Sequence, residues 1–133
     1  MRTFKIAICE DDRDQNEHIN YMIKKSCIFL SSEHQKFEIS NTFYSYESIF
    51  QFINSSSKLP DIYFLDIEML RMDGIELAQK IKKLEVDANI VFVSAYEKYA
   101  IPSYKIRAYY YILKREYYNE VPVILKRIIQ EKY

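Results

Sequence analysis

Six side chains of this 133-residue sequence are of types that do chemistry, and each stands where a short apolar run ends. Glu10, Asp11 and Asp12 follow Phe4-Lys5-Ile6-Ala7-Ile8-Cys9, and Asp66 follows Ile62-Tyr63-Phe64-Leu65. Ser94 follows Ile90-Val91-Phe92-Val93, and Lys114 follows Ala108-Tyr109-Tyr110-Tyr111-Ile112-Leu113. Asp12 heads a helical pattern, where an acid at the N-terminus is favoured. One cap suffices, so Glu10 and Asp11 are left over. Asp66 emerges from a buried run, and an unpaired carboxylate there is expensive. Clustered carboxylates repel unless a cation sits among them. Mg²⁺ is the natural choice, because it takes oxygen ligands and keeps several waters. It would let Asp11 and Asp66 approach while ionised and would neutralise an incoming phosphoryl group. Asp66 then reads as a carboxylate nucleophile. Ser94 and Lys114 read as the groups that hold the transferred oxygens. Ser94 or Lys114 alone means little; their convergence with the acids carries the weight.

That convergence requires a particular set of elements. The runs 4–9, 62–65 and 90–93 are rich in β-branched and aromatic residues, which suits strands buried on both faces of a parallel sheet. Phe37, Ile39, Asn41 and Phe43 alternate with polar residues and predict a half-exposed edge strand; 108–113 is the fifth candidate. Between the strands the period turns helical. Ile19, Met22, Ile23, Ser26 and Leu30 share one face of a helix over about 13–31. Tyr46, Ile49, Phe50 and Ile53 mark a second helix capped by Ser45. Leu77, Ala78, Ile81 and Leu84 mark a third, with a capping-box pattern at Asp73 and Glu76. Residues 97–105 predict a short helix interrupted at Pro102. Val121, Ile124, Leu125, Ile128 and Ile129 mark the last helix, with Pro122 in its first turn. The order is β-α five times, which implies an α/β, doubly wound five-stranded parallel sheet with helices on both faces. Two edge-like strands, the second and fifth, give strand order 2-1-3-4-5. Sites in such sheets gather at the carboxyl ends of the strands near the topological switch, here between the first and third.

Composition narrows the function classes. Residues 1–133 fit one domain, with 49% hydrophobic residues, 16% aromatics and 3 Pro, which excludes disorder. No apolar run is long enough for a membrane span or a secretory signal. Two cysteines, Cys9 and Cys27, make no disulfide framework, and a reducing cytoplasm is the expected compartment. The zero net charge divides into −4 before Glu97 and +4 from it onward. No basic stripe of the kind nucleic-acid binding needs is present.

The motifs Ile-Ala-Ile-Cys-Glu-Asp-Asp (6–12) and Leu-Asp-Ile-Glu-Met…Met-Asp-Gly-Ile-Glu-Leu-Ala (65–78) resemble those of the receiver domain of two-component response regulators. The likeness spans essentially the whole chain and is nearest to LytTR-type, accessory gene regulator-like receivers. It implies a flavodoxin-like fold and a phosphoacceptor signalling domain that is not an enzyme, with Asp66 as phosphoacceptor. It further implies Mg²⁺ held by Glu10, Asp11, Asp66 and the backbone carbonyl of Glu68, with Glu10 acting largely through water. Ser94 would be the switch hydroxyl, Lys114 the phosphoryl partner and Tyr111 the aromatic switch. A sensor histidine kinase would be the donor. Homodimerisation would use the fourth helix, fifth strand and fifth helix, whose region carries Tyr96, Tyr99, Tyr104, Tyr109, Tyr117 and Tyr118. The output would be transcription, with DNA reached only through an output domain outside these 133 residues. Two positions depart from the family. Leu70 and Arg115 stand where prolines are usual, and without the second proline the loop carrying Lys114 would aim differently. Those departures favour an alternative, a phosphorylation-independent docking or dimerisation module. A phosphatase with an aspartyl nucleophile is disfavoured, because its Asp-x-Asp motif follows the first strand.

Overall fold

Apolar side chains on both sides of a strand need cover on both faces, and the chain supplies it with a sandwich of helices around one sheet. The computed structural model describes residues 2–69 and 73–132. Its strands are β1 (Arg2–Cys9), β2 (Gln35–Phe43), β3 (Ile62–Asp66), β4 (Asn89–Ser94) and β5 (Tyr110–Leu113). The helices between and after them are α1 (Arg13–Leu30), α2 (Tyr46–Ser55), α3 (Gly74–Leu84), α4 (Ala100–Lys105) and α5 (Tyr117–Lys132). All strand pairs are parallel and the order is β2-β1-β3-β4-β5, as the pattern predicts. Phe4, Ile6 and Ile8 pack under α1 and α5, against residues such as Ile23 and Leu125. Ala7 and Cys9 point the other way, toward Ile49 of α2 and Leu77 of α3. Cys9 and Cys27 are both buried and free. Among the described residues no helix is long and apolar enough to cross a membrane.

The predicted caps form. Asp12, Ser45 and Asp73 each accept a hydrogen bond from the backbone N–H three residues on. Several expectations are corrected. The alternation through Phe37, Ile39, Asn41 and Phe43 does not hold on one face, because β2 carries an irregularity opposite Ile6 and Ala7. Ile6 pairs with Ile39 and Ala7 with Asn41, so Ser40 is an extra residue. A bulge of one residue reverses the side-chain alternation. Phe37 therefore packs on the α1/α5 side and Phe43 on the other. The fifth strand starts at Tyr110 rather than Ala108, since Arg107 adopts φ 63° to end the α4 turn. Pro102 does not interrupt its helix. A 3₁₀ turn over Glu97–Tyr99 comes first, and Pro102 lies in the first turn of α4, where its missing N–H has no partner to lose. Pro122 lies deeper than predicted, because α5 begins at Tyr117. The cause is tertiary: the Tyr117 ring is buried, edge-on to His18 of α1, with its hydroxyl 2.6 Å from His18 Nδ1.

One buried polar residue ties the start of α1 to the ends of two strands. Asn16 is fully buried, and its Nδ2 donates to the Glu10 carbonyl at 2.8 Å and the Phe43 carbonyl at 2.9 Å. Its Oδ1 accepts from Asn20 at 2.6 Å. Replacing Asn16 with Ala removes the donor to the Glu10 carbonyl, while the Phe43 carbonyl keeps the Glu10 N–H at 3.1 Å, and a stranded buried polar group costs roughly 1–3 kcal/mol. Urea denaturation of Asn16→Ala is expected to show a loss of about 2 kcal/mol with an unchanged m-value.

Candidate functional site

Level strand ends build the site. Cys9 is in register with Leu65, Asp66 with Val93, and Ser94 with Leu113. The next residues out, or the last residues themselves, therefore share one rim. A cavity of about 210 Å³ opens there, lined by Glu10, Asp11, Asp66, Glu68, Ser94 and Lys114 among others. Asp12 lines it too, but its side chain is spent capping α1. The sequence-derived candidates, drawn from four strand ends, are thus brought together.

The electrostatics are those of crowded acids beside a lysine. Glu10, Asp11 and Asp66 each place a carboxylate oxygen within 4.8 Å of the others. The Lys114 ammonium donates to Glu10 Oε1 at 2.6 Å and lies 3.5 Å from Asp66 Oδ1. It also donates to Gln15 Oε1 of α1. The Glu10 Oε2 atom accepts from the Asp12 N–H at 3.1 Å. Burial, then the Glu10 charge, pushes the Asp66 carboxyl up to about 7, against the pull of Lys114. Burial opposes the charge on Lys114, but the hydrogen bond to Glu10 and the Asp66 charge outweigh it and hold its pKa above the ordinary value. The Cys9 thiol behind the site is pushed up to about 12 by burial and the three acids, so it stays a neutral packing group. Among the described residues the metal-ligating side chains at the cavity offer hard oxygen donors, the ligand chemistry of Mg²⁺ and not of a thiolate-seeking metal. Among the described residues three carboxylates share this rim with the Lys114 ammonium, and oxygen ligands so grouped fit a divalent cation.

The walls connect the site to its surroundings. Ser94 is buried, and its Oγ accepts from the Tyr96 N–H at 3.1 Å. The Tyr111 hydroxyl, in turn, donates to the Tyr96 carbonyl. Tyr111 is buried beside β4, and burial raises its hydroxyl pKa. Behind the Asp66 backbone Gly74 starts α3, its N–H donating to the Ile67 carbonyl at 2.6 Å. A Cβ on Gly74 would collide with the Asp66 carbonyl and lie 2.8 Å from the Ile67 Cα. The only glycine of the chain is thus where helix and strand end approach too closely for a side chain.

Lys114 reaches the site although Arg115, not proline, follows it. Residues 114–116 form a 3₁₀ turn, and Arg115 points outward to Glu97 at 3.1 Å. The other departure, Leu70, lies outside the described residues. The tyrosine region divides: Tyr96, Tyr104 and Tyr118 are exposed, whereas Tyr117 is buried against α1. Tyr109 and Tyr99 spend their hydroxyls on Glu131 and Glu68, at 2.7 and 2.8 Å. Sequence reasoning missed Gln15 and Asn16. Asn16 had a signal, since it occupies the apolar stripe of Ile19 and Ile23 at helical spacing.

An acidic pit at the switch point of a 2-1-3-4-5 sheet, faced by a lysine and a serine, defines a class. The family model described as "Response regulator receiver domain" matches residues 6–126, and the chain belongs to that family. Among curated relatives, the accessory gene regulator protein A of Staphylococcus epidermidis is 34% identical over 115 residues, covering 83% of this chain and 46% of the relative. The transcriptional regulatory protein YpdB of Escherichia coli is 28% identical over 124 residues, covering 93% and 47%. These relatives are LytTR-type regulators, and the receiver is of that type. The chain spans about half the length of the curated relatives it matches. The response regulatory domain of protein mrkE from Klebsiella pneumoniae superposes with TM-score 0.80 at 25% identity, covering 96% of both chains.

Two outcomes follow from this geometry. Asp66 folded at about 7 binds more protons than the unfolded carboxyl, near 3.9, across the interval between them. Its contribution to stability is therefore present at low pH and lost as pH rises through about 7. With divalent cations removed, Asp66→Asn is expected to gain stability over wild type as pH rises from 4 to 8, reaching roughly 2–4 kcal/mol. Paired urea titrations at pH 4 and 8 check this; an equal offset at both pH values would contradict it. Gly74→Ala is expected to lose about 1–3 kcal/mol, since only backbone atoms stand in the way. Thermal unfolding of the variant checks it.

Proposed function

We propose that the chain is a phosphorylation-controlled switch whose phosphoacceptor is Asp66. The observation that carries this reading is the Asp66 carboxylate beside Glu10 and Asp11, with the Lys114 ammonium 3.5 Å away. A sensor histidine kinase offers phosphohistidine. An Asp66 oxygen attacks phosphorus, the phosphorus–nitrogen bond breaks, and the electron pair leaves with the imidazole. Asp11, Asp66 and the Glu68 backbone carbonyl hold Mg²⁺, with Glu10 acting largely through water. The bound ion supplies charge neutralisation to the phosphoryl oxygens. Lys114, already an ammonium, pairs with one of those oxygens. The Ser94 hydroxyl turns from the Tyr96 N–H toward another.

The switch follows from what that turn releases. Ser94 and Tyr111 hold the same residue, Tyr96, one at its N–H and the other at its carbonyl. Losing one hold shifts the balance between two packings of Tyr111, a population shift biased by new charge-assisted contacts. The α4-β5-α5 face is remodelled, and exposed Tyr104, Tyr118 and Ile101 suit it to pairing with a second copy. An output domain, where the chain carries one, then controls transcription, as the names of the relatives suggest.

A small-molecule phosphodonor with Mg²⁺ tests this. Intact-mass measurement is expected to show one phosphoryl adduct on wild type and none on Asp66→Asn. An adduct persisting in Asp66→Asn would refute the assignment. Lys114→Ala is expected to slow transfer roughly 100-fold, the usual size of losing one preorganised charge-stabilising donor.

A further inference from the structure

Glu68 lines the pocket rim, yet its carboxylate accepts a hydrogen bond from outside the cluster of Glu10, Asp11 and Asp66. The Tyr99 hydroxyl donates to Glu68 Oε1 at 2.8 Å, bridging the loop after β3 to the 3₁₀ turn before α4. Tyr99 is suited to hold a fixed point. Its ring is half-buried against the core cluster under α2 and α3, whereas Tyr96 beside it is 48% exposed. The two rings meet edge to face at 6.5 Å, and the Lys98 ammonium lies over both, 5.1 Å from the Tyr99 centroid and 5.3 Å from that of Tyr96. A cation over the ring stiffens the arrangement and strengthens the hydroxyl as a donor.

The position of Glu68 makes this bond consequential. It stands two residues after Asp66, in a rim that already crowds three carboxylates within 4.8 Å. A fourth free carboxylate would have two effects if it swung inward. It would add a negative ligand for a cation, and it would repel an incoming phosphoryl group. A hydrogen bond from a neutral donor holds it outside without adding charge to the site.

We propose that Tyr99 is a positioning residue that latches the Glu68 carboxylate away from the Asp66 pocket, keeping cation affinity moderate and the approach open to a phosphodonor. This rests on the phosphoacceptor reading of Asp66. Tyr99→Phe removes only the hydroxyl and keeps the packed ring. A hydrogen bond to a charged group at a partly exposed site, once lost, is expected to tighten Mg²⁺ binding roughly 3- to 10-fold by titration calorimetry. Phosphotransfer from a small-molecule donor at saturating Mg²⁺ is expected to slow by a similar factor.

The decisive measurement is a double-mutant cycle. On a Glu68→Gln background there is no carboxylate to release, so adding Tyr99→Phe is expected to leave Mg²⁺ affinity unchanged. The same change in both backgrounds overturns the latch, because the effect then does not pass through Glu68, and leaves the role of Asp66 intact. No change from Tyr99→Phe in wild type overturns it as well. If wild type binds no Mg²⁺, or binds it equally in Asp66→Asn, the latch and the metal-assisted phosphoacceptor reading fall together.

Discussion

Two buried carboxylates, Glu10 and Asp66, approach one ammonium, that of Lys114, and the loops of this domain are built around making that arrangement bearable. Breaking a buried ion pair leaves an uncompensated charge, a penalty of several kcal/mol. The partners come from β1, β3 and β5, so their encounter depends on parallel strands ending level at one edge of the sheet. Even so, Asp66 is not fully compensated, and burial beside Glu10 keeps its pKa near neutrality. Carboxylates grouped in this way suit the rim to a positively charged guest.

The polar residues around the rim relieve separate parts of this strain. Asp12 caps α1 with its side chain and gives its N–H to Glu10. Asn16 secures the Glu10 carbonyl from below, so the peptide that carries the acid is fixed as well as its side chain. Gly74 lets α3 begin directly against the Asp66 backbone. Two helix starts and one helix residue thus define where the acids stand. Preorganisation of this kind is what makes charged groups effective in a site.

The pocket and the α4-β5-α5 face share the backbone of residues 94–96. Ser94 accepts from the Tyr96 N–H, and Tyr111 donates to the Tyr96 carbonyl. A few hydrogen bonds of modest strength separate the two sides. Hydrogen bonds of that size lie on the energetic scale at which two-state elements are biased.

Hydrophobic period made the strand order, the helix caps at Asp12, Ser45 and Asp73, and the convergence of Asp66 with Glu10, Asp11, Ser94 and Lys114 readable along the chain. Those features depend on local alternation and on the rule that parallel strands end their chemistry at one edge. The misreadings share a cause. The bulge at Ser40, the early start of α5 at Tyr117 and the partnership of Asn16 with two strand ends arise from contacts between residues far apart in sequence. A single inserted residue reverses which face Phe43 covers without altering the pattern of residue types. Lys114 shows the division most plainly. Its type and place after an apolar run marked it as a candidate, but the direction of its ammonium without a following proline was settled by the pull of two buried acids, which only the folded chain brings within reach.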